Sequence, residues 1–145
     1  MFAKVGITLA CLATVSLATP IRAQNPQHVQ RLLTTGECSG CNLAGANLKE
    51  IHVLGADLRN ANLEGANLTG ANLEGADLTG ANLKNANLTA AYLTNATLDQ
   101  ANLTNANLSA ASLINAQTLG AILDGVNIQN AEVYGSGVAA GGEDR

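Results

Sequence analysis

Aromatic side chains are almost missing from this 145-residue chain, which holds no Trp, one Phe and two Tyr. A conventional aromatic-rich globular core is therefore excluded. Basic residues are scarce too, with seven Lys and Arg against eleven Asp and Glu. That balance disfavours nucleic acid as a direct ligand. The longest apolar stretch, Val5 to Leu17, falls short of the ~20 residues that span a bilayer, which disfavours a retained membrane anchor. With Lys4 before it and Ile21-Arg22-Ala23 after it, the stretch reads as an export signal over residues 1–23. The mature chain would begin near Gln24 and carry five basic against eleven acidic residues. A lipoprotein reading at Cys11 is weaker still, because Thr8-Leu9-Ala10-Cys11 lacks the usual aliphatic first residue.

What the chain does contain, from Cys41 to about Val133, is one five-residue phrase: Ala61-Asn62-Leu63-Glu64-Gly65, Ala66-Asn67-Leu68-Thr69-Gly70, Ala71-Asn72-Leu73-Glu74-Gly75. Steps of five from Leu43 to Val133 visit nineteen positions, and each holds Leu, Ile or Val except Thr118. Two residues earlier in each pentad, the eighteen positions from Ala46 to Ala131 hold Ala except at Ile51 and Val126. The register never slips, so this is one repeat array. A period of five fits neither an amphipathic helix nor a simple alternating strand. In extended backbone, residues two apart share a face, so Ala and Leu point inward together and the intervening Asn or Asp turns outward. The fifth position is often Gly, as at 45, 65 and 75, or Asn, as at 85, 95 and 105. Both tolerate the bend that ends one side of a coil.

This pattern resembles the pentapeptide-repeat family. The resemblance implies an all-β fold, a right-handed quadrilateral β-helix with four pentads per coil. At about 4.8 Å per coil, about five coils would make a rod of about 24 Å. A solenoid of this kind needs no central aromatic core, but its ends need protection from edge-to-edge association. Asn25-Pro26 predicts a helix start and Gly36 its stop. The domain reading is thus a signal over 1–23, a capping helix within 24–37, the repeat over 38–135 and a mobile tail over 136–145. Val29, Leu32 and Leu33 form the stripe expected to lie on the first coil.

Cys38 and Cys41 make the one Cys-x-x-Cys, both in inward register, and Cys38-Ser39-Gly40-Cys41-Asn42-Leu43 resembles the opening of many cyanobacterial pentapeptide-repeat proteins. Either a disulfide or two buried reduced thiols fits. A thioredoxin-like role lacks its βαβ surroundings, and zinc binding with His28 and His52 lacks a strong ligand set. No cofactor or metal is implied. Glu64, Glu74, Asp77, Asp99 and Asp124 occupy outward positions, Ser109 and Ser112 have no His nearby, and no catalytic residues emerge.

Under the four-sided geometry that the family implies, residues twenty apart share a side. Asn47, Asn67, Asn87, Asn107 and Asn127 then form one flat side with Lys49, Thr69, Thr89, Ser109 and Gln129, read as an Asn ladder or as an array that orders water or ice. Some family members mimic DNA and inhibit type II topoisomerases. Here the acidic residues make no continuous stripe, since one row reads Asp57, Asp77, Thr97, Gln117 and the next Arg59, Thr79, Asp99, Leu119. Ile114, Leu119, Ile122 and Tyr134 break the polar pattern and are the candidate interaction surface for a protein partner or a second copy. The expectation is a non-enzymatic interaction scaffold in the periplasm or thylakoid lumen, not inserted in a membrane after signal cleavage, with a DNA-mimicking topoisomerase inhibitor as the alternative.

Overall fold

The computed structural model describes residues 24–138. The signal reading for 1–23 and the last seven residues of the tail reading fall outside them. Parallel bridges run from Glu37↔Asp57 to Ser112↔Glu132, and all sixteen join residues twenty apart. One coil therefore takes four pentads. The hydrogen bonds explain the register: Leu63 N–H donates to the Asn82 carbonyl at 2.8 Å and Gly65 N–H to the Lys84 carbonyl at 2.9 Å. Asn82 N–H returns to the Ala61 carbonyl at 2.9 Å. Within the pentad, Ala66 N–H closes a turn on the Leu63 carbonyl at 3.0 Å.

That turn requires a left-handed residue at its third position, and Gly65 supplies it with φ of +65°. Every fifth residue from Gly40 to Gly135 has positive φ. Most are Gly or Asn, which visit this region at little cost. Ala90 and Ala110, both at φ +57° or +56°, do not. Ala90→Gly and Ala110→Gly are each expected to stabilise the rod by about 1 kcal/mol, read as a raised urea midpoint. A lowered midpoint would mean that the Ala methyls make contacts worth more than the strain.

Inward packing follows the pattern read from sequence. Every large residue from Leu58 to Leu113 is no more than 1% exposed, as is every small one from Ala61 to Ala111. Side chains one coil apart stack in register, so each coil completes the core of its neighbours. Cover thins after Ala116: Ala121, Leu123, Val126, Ile128, Ala131 and Val133 are only partly buried. No described coil stacks beyond them.

At the other end, α1 (Pro26–Thr35) has Asn25 as N-cap, its side chain accepting from Gln27 N–H, and Gly36 as left-handed C-cap at φ +70°. Its inward face differs from the expected stripe. Leu32 is 1% exposed and Val29 packs on the core, but Leu33 is 51% exposed. Successive helical residues differ by about 100°, so a face centred on Leu32, Val29 and His28 turns Leu33 outward. Hydrogen bonds from the cap set that choice. Asn25 N–H donates to the Asn42 carbonyl at 3.2 Å, and Asn42 N–H donates to His28 Nδ1 at 2.8 Å. The cap thus supplies to Asn42 both partners that a preceding coil would have supplied.

Of the stretch read as a tail, residues 136–138 are described, and they lie against the last coil. Ser136 Oγ donates to the Val133 carbonyl at 2.7 Å, and Val138 N–H donates to Ser136 Oγ at 3.3 Å. Val138 falls five residues after Val133, in the large-residue register, and is 5% exposed. Gly137 crosses against the Thr118 hydroxyl so closely that a Cβ would collide with it. The single exception in the large-residue series therefore sits where the chain passes over it.

Candidate functional site

The outward residues group into four rows, each running along the coils in steps of twenty. Row one contains Glu37, Asp57, Asp77, Thr97 and Gln117; rows two, three and four begin at Asn42, Asn47 and His52. At the second pentad position, Asn and Asp mainly serve their own pentad. Asn67 Oδ1 accepts from Thr69 N–H at 3.1 Å and from the Thr69 hydroxyl at 2.7 Å. Asn87 does the same for Thr89 at 3.0 and 2.6 Å. Each such turn satisfies the outward N–H of the fourth position. The expected ladder along the rod is the minor pattern, as in Asn67 Nδ2 to Asn47 Oδ1 at 3.5 Å. Where the ladder bond does form, it shares an oxygen already used within the pentad: Asn62 Oδ1 accepts from Glu64 N–H at 3.2 Å and from Asn82 Nδ2 at 3.3 Å.

The four candidate interaction residues do not form one cluster. Ile114 and Tyr134 are one coil apart at the fourth position of row four, Leu119 lies on row one and Ile122 on row two. Leu119 and Tyr134 are 81% and 82% exposed, Ile122 is 46% exposed, and Ile114 is half-buried. Sequence reading missed Tyr92, which is 56% exposed on row four, one coil before Ser112. Its signal was available: the residue at position 92 interrupts a row that is polar on either side.

Cys38 and Cys41 lie under the cap with their sulfurs 2.08 Å apart and Cα atoms 5.1 Å apart. Cys38 Sγ sits 3.3 Å from the His28 carbonyl. His28 is thus tied to the first coil through its ring, while His52 Nδ1 lies 3.2 Å from the Glu50 carbonyl. Among the described residues, no group of three or more His, Cys, Asp and Glu side chains is arranged to hold a metal. No described helix is long and apolar enough to cross a membrane.

The family model for pentapeptide repeats matches residues 37–75, 71–109 and 101–136. The chain belongs to the pentapeptide repeat family. It is 35% identical to a pentapeptide repeat protein of the cyanobacterium Cyanothece, over 79% of this chain and 95% of that one, with a TM-score of 0.63. It is 34% identical to a pentapeptide repeat protein from the Arabidopsis thaliana thylakoid lumen, over 82% and 79% of the two chains, with a TM-score of 0.59. The plasmid-mediated fluoroquinolone resistance protein QnrB1 shares the fold at 21% identity, over 69% and 61%, with a TM-score of 0.53. Among curated proteins none matches. The short helix before the coils and the β-helix after it are both present in this pentapeptide repeat protein.

Its acidic residues are partly committed to local structure. Arg59 Nε and Nη2 donate to the two oxygens of Asp57 at 2.9 and 2.6 Å. This bidentate bond holds the Asp57 carboxyl down at about 2 and pushes the Arg59 guanidinium up. Asp99 Oδ1 accepts from Leu119 N–H at 2.8 Å, one coil along. The sign for Asp57 follows from linkage: a carboxylate depressed in the fold stabilises above its unfolded value of about 3.9 and loses that contribution as pH falls through about 2. A carbon-detected NMR titration of Asp57 should show a midpoint near 2 that rises toward the ordinary range in Arg59→Gln. An unchanged midpoint in that variant would assign the depression to another cause.

Proposed function

We propose that this protein is an exported, non-enzymatic scaffold of the periplasm or thylakoid lumen. In this reading its four rows form the sides of a quadrilateral rod and present a surface to another protein. The observation that carries it is the break in outward polarity on the C-terminal coils, where Leu119 and Tyr134 are more than four-fifths exposed. Elsewhere, apart from Leu54 and Tyr92, the outward positions are mostly Asn, Thr and charged residues that solvation accounts for. The thylakoid-lumen relative supports the compartment, as does the leader-like sequence of residues 1–23. Cys38 and Cys41 are a disulfide in this proposal, closing a short loop for about 2 kcal/mol. Alkylation followed by mass measurement would find no free thiol at either position.

The test is a pull-down of C-terminally tagged protein from periplasmic and lumenal extracts, with mass spectrometry of what is retained. A reproducible partner that is lost in Ile114→Asp or Leu119→Asp supports the scaffold. A partner could also be a second copy stacked on the partly open fifth coil, which sedimentation would reveal as a doubled mass that reverts in Ile128→Asp. The DNA-mimic alternative shares QnrB1's fold but needs free carboxylates in a row, whereas Asp57 is bound by Arg59 and Asp99 by Leu119 N–H. Inhibition of gyrase supercoiling by the purified protein would overturn the scaffold reading in its favour.

A further inference from the structure

Row four is unlike the other three. Both tyrosines of the chain lie on it, Tyr92 and Tyr134, together with Leu54 and Ile114. Leu54, Tyr92 and Tyr134 are each more than half exposed. Rows one and two carry one exposed large apolar residue apiece, Leu119 and Ile122, and row three carries none. The charges on row four are Glu74 and Glu132, both exposed. No Lys or Arg occurs between Lys84 and Arg145, whereas Asp99, Asp124 and Glu132 do. Four of the five coils therefore present one large apolar residue on row four, Leu54, Tyr92, Ile114 or Tyr134, with Glu74 on the coil that has none, Glu132 beside Tyr134 and His52 beside Leu54.

Spacing decides what such a row accepts. From Leu54 to Tyr134 is four coil steps, about 19 Å at about 4.8 Å each. An α-helix laid along the row repeats its contacts every turn of about 5.4 Å, so it drifts by only about 2 Å over that length. A strand along the same direction repeats a face every ~6.8 Å and drifts by about 8 Å. A helix keeps its side chains opposite successive coils; a strand does not.

We infer that row four is the docking face for an amphipathic helix with Lys or Arg beside its apolar stripe. This rests on the scaffold reading above and narrows it to one side and one partner chemistry. The apolar side chains pack on Leu54, Tyr92, Ile114 and Tyr134, and the cationic ones face Glu74 and Glu132, with the tyrosine rings open to cation–π contact. An anionic membrane surface has the wrong charge for this row.

The test uses three synthetic 14-residue peptides titrated into the 15N-labelled protein: one with a Leu stripe flanked by Lys, one with Glu in place of Lys, and the Lys peptide with a central Pro. The Lys peptide is expected to shift amides of 54, 74, 92, 114 and 134 and to bind about tenfold more tightly than either control. Ile114→Asp should cost about tenfold. Glu74→Gln with Glu132→Gln, which leaves the core untouched, should cost about fivefold and act on the Lys peptide alone. Shifts on another row, equal binding of the Glu or Pro peptide, equal binding to phosphatidylglycerol vesicles, or insensitivity to the double Gln variant would each overturn the inference. A native partner that is lost in Leu119→Asp but retained by the row-four variants would leave the scaffold standing and overturn this assignment.

Discussion

Leu83→Ala is expected to cost about 3 kcal/mol, and Ile128→Ala about 1 kcal/mol, although both remove a large residue from the same register. Leu83 is fully buried between the side chains of its neighbouring coils, while Ile128 lies in the partly uncovered fifth coil. The central site also cannot collapse to fill a void. Leu63 N–H to the Asn82 carbonyl at 2.8 Å and Leu83 N–H to the Asn102 carbonyl at 2.7 Å hold the coil spacing on both sides. A cavity that stays open costs the transfer term and the lost packing together. Urea unfolding of the two variants at low protein concentration measures the difference. Equal losses would contradict the burial gradient, and a loss at Ile128 that grows with protein concentration would mark a second copy seated on the last coil.

The repeat was legible because one physical demand recurs at every step: a small and a large inward residue, two apart, in a coil of fixed size. Leu88 and Ala86 are read correctly from spacing alone, since any other placement would expose one of them. The fifth-position turns were legible for a related reason, because Gly65 or Asn85 satisfies the left-handed geometry and few other residues do. Local side-chain bonding was harder to foresee. Asn67 bonds both ways, its Oδ1 accepting from the Thr69 N–H and hydroxyl within the pentad and its Nδ2 donating along the rod to Asn47 Oδ1, and spacing alone does not say which atom takes which partner. The ends were least legible. Leu33 and Val138 are both apolar, but periodicity cannot say that α1 turns the first outward while the departing chain buries the second. Tyr92 was missed because, alone in its pentad, it reads as one scattered apolar residue until it is set on the same row as Ile114 and Tyr134.

Leu32→Ala in the cap is expected to cost about 3 kcal/mol, against less than about 0.5 kcal/mol for Leu33→Ala. The two residues are adjacent and chemically identical, so the contrast isolates which face of α1 meets the first coil. Leu32 is 1% exposed and Leu33 51%. His28→Ala should add a further cost of about 1 kcal/mol, because it removes the acceptor for Asn42 N–H. Gln at position 28 carries a side-chain oxygen that can accept the same bond, and His28→Gln should recover part of that loss. The consequence reaches beyond stability. A loosened α1 uncovers the Asn42 edge, and an unpaired edge recruits other chains. Leu32→Ala should therefore form larger species by light scattering well below its unfolding midpoint, while Leu33→Ala stays as the parent. If both variants unfold alike and neither associates, α1 does not close the rod, and the Asn25 and His28 bonds to Asn42 are too weak to hold it there.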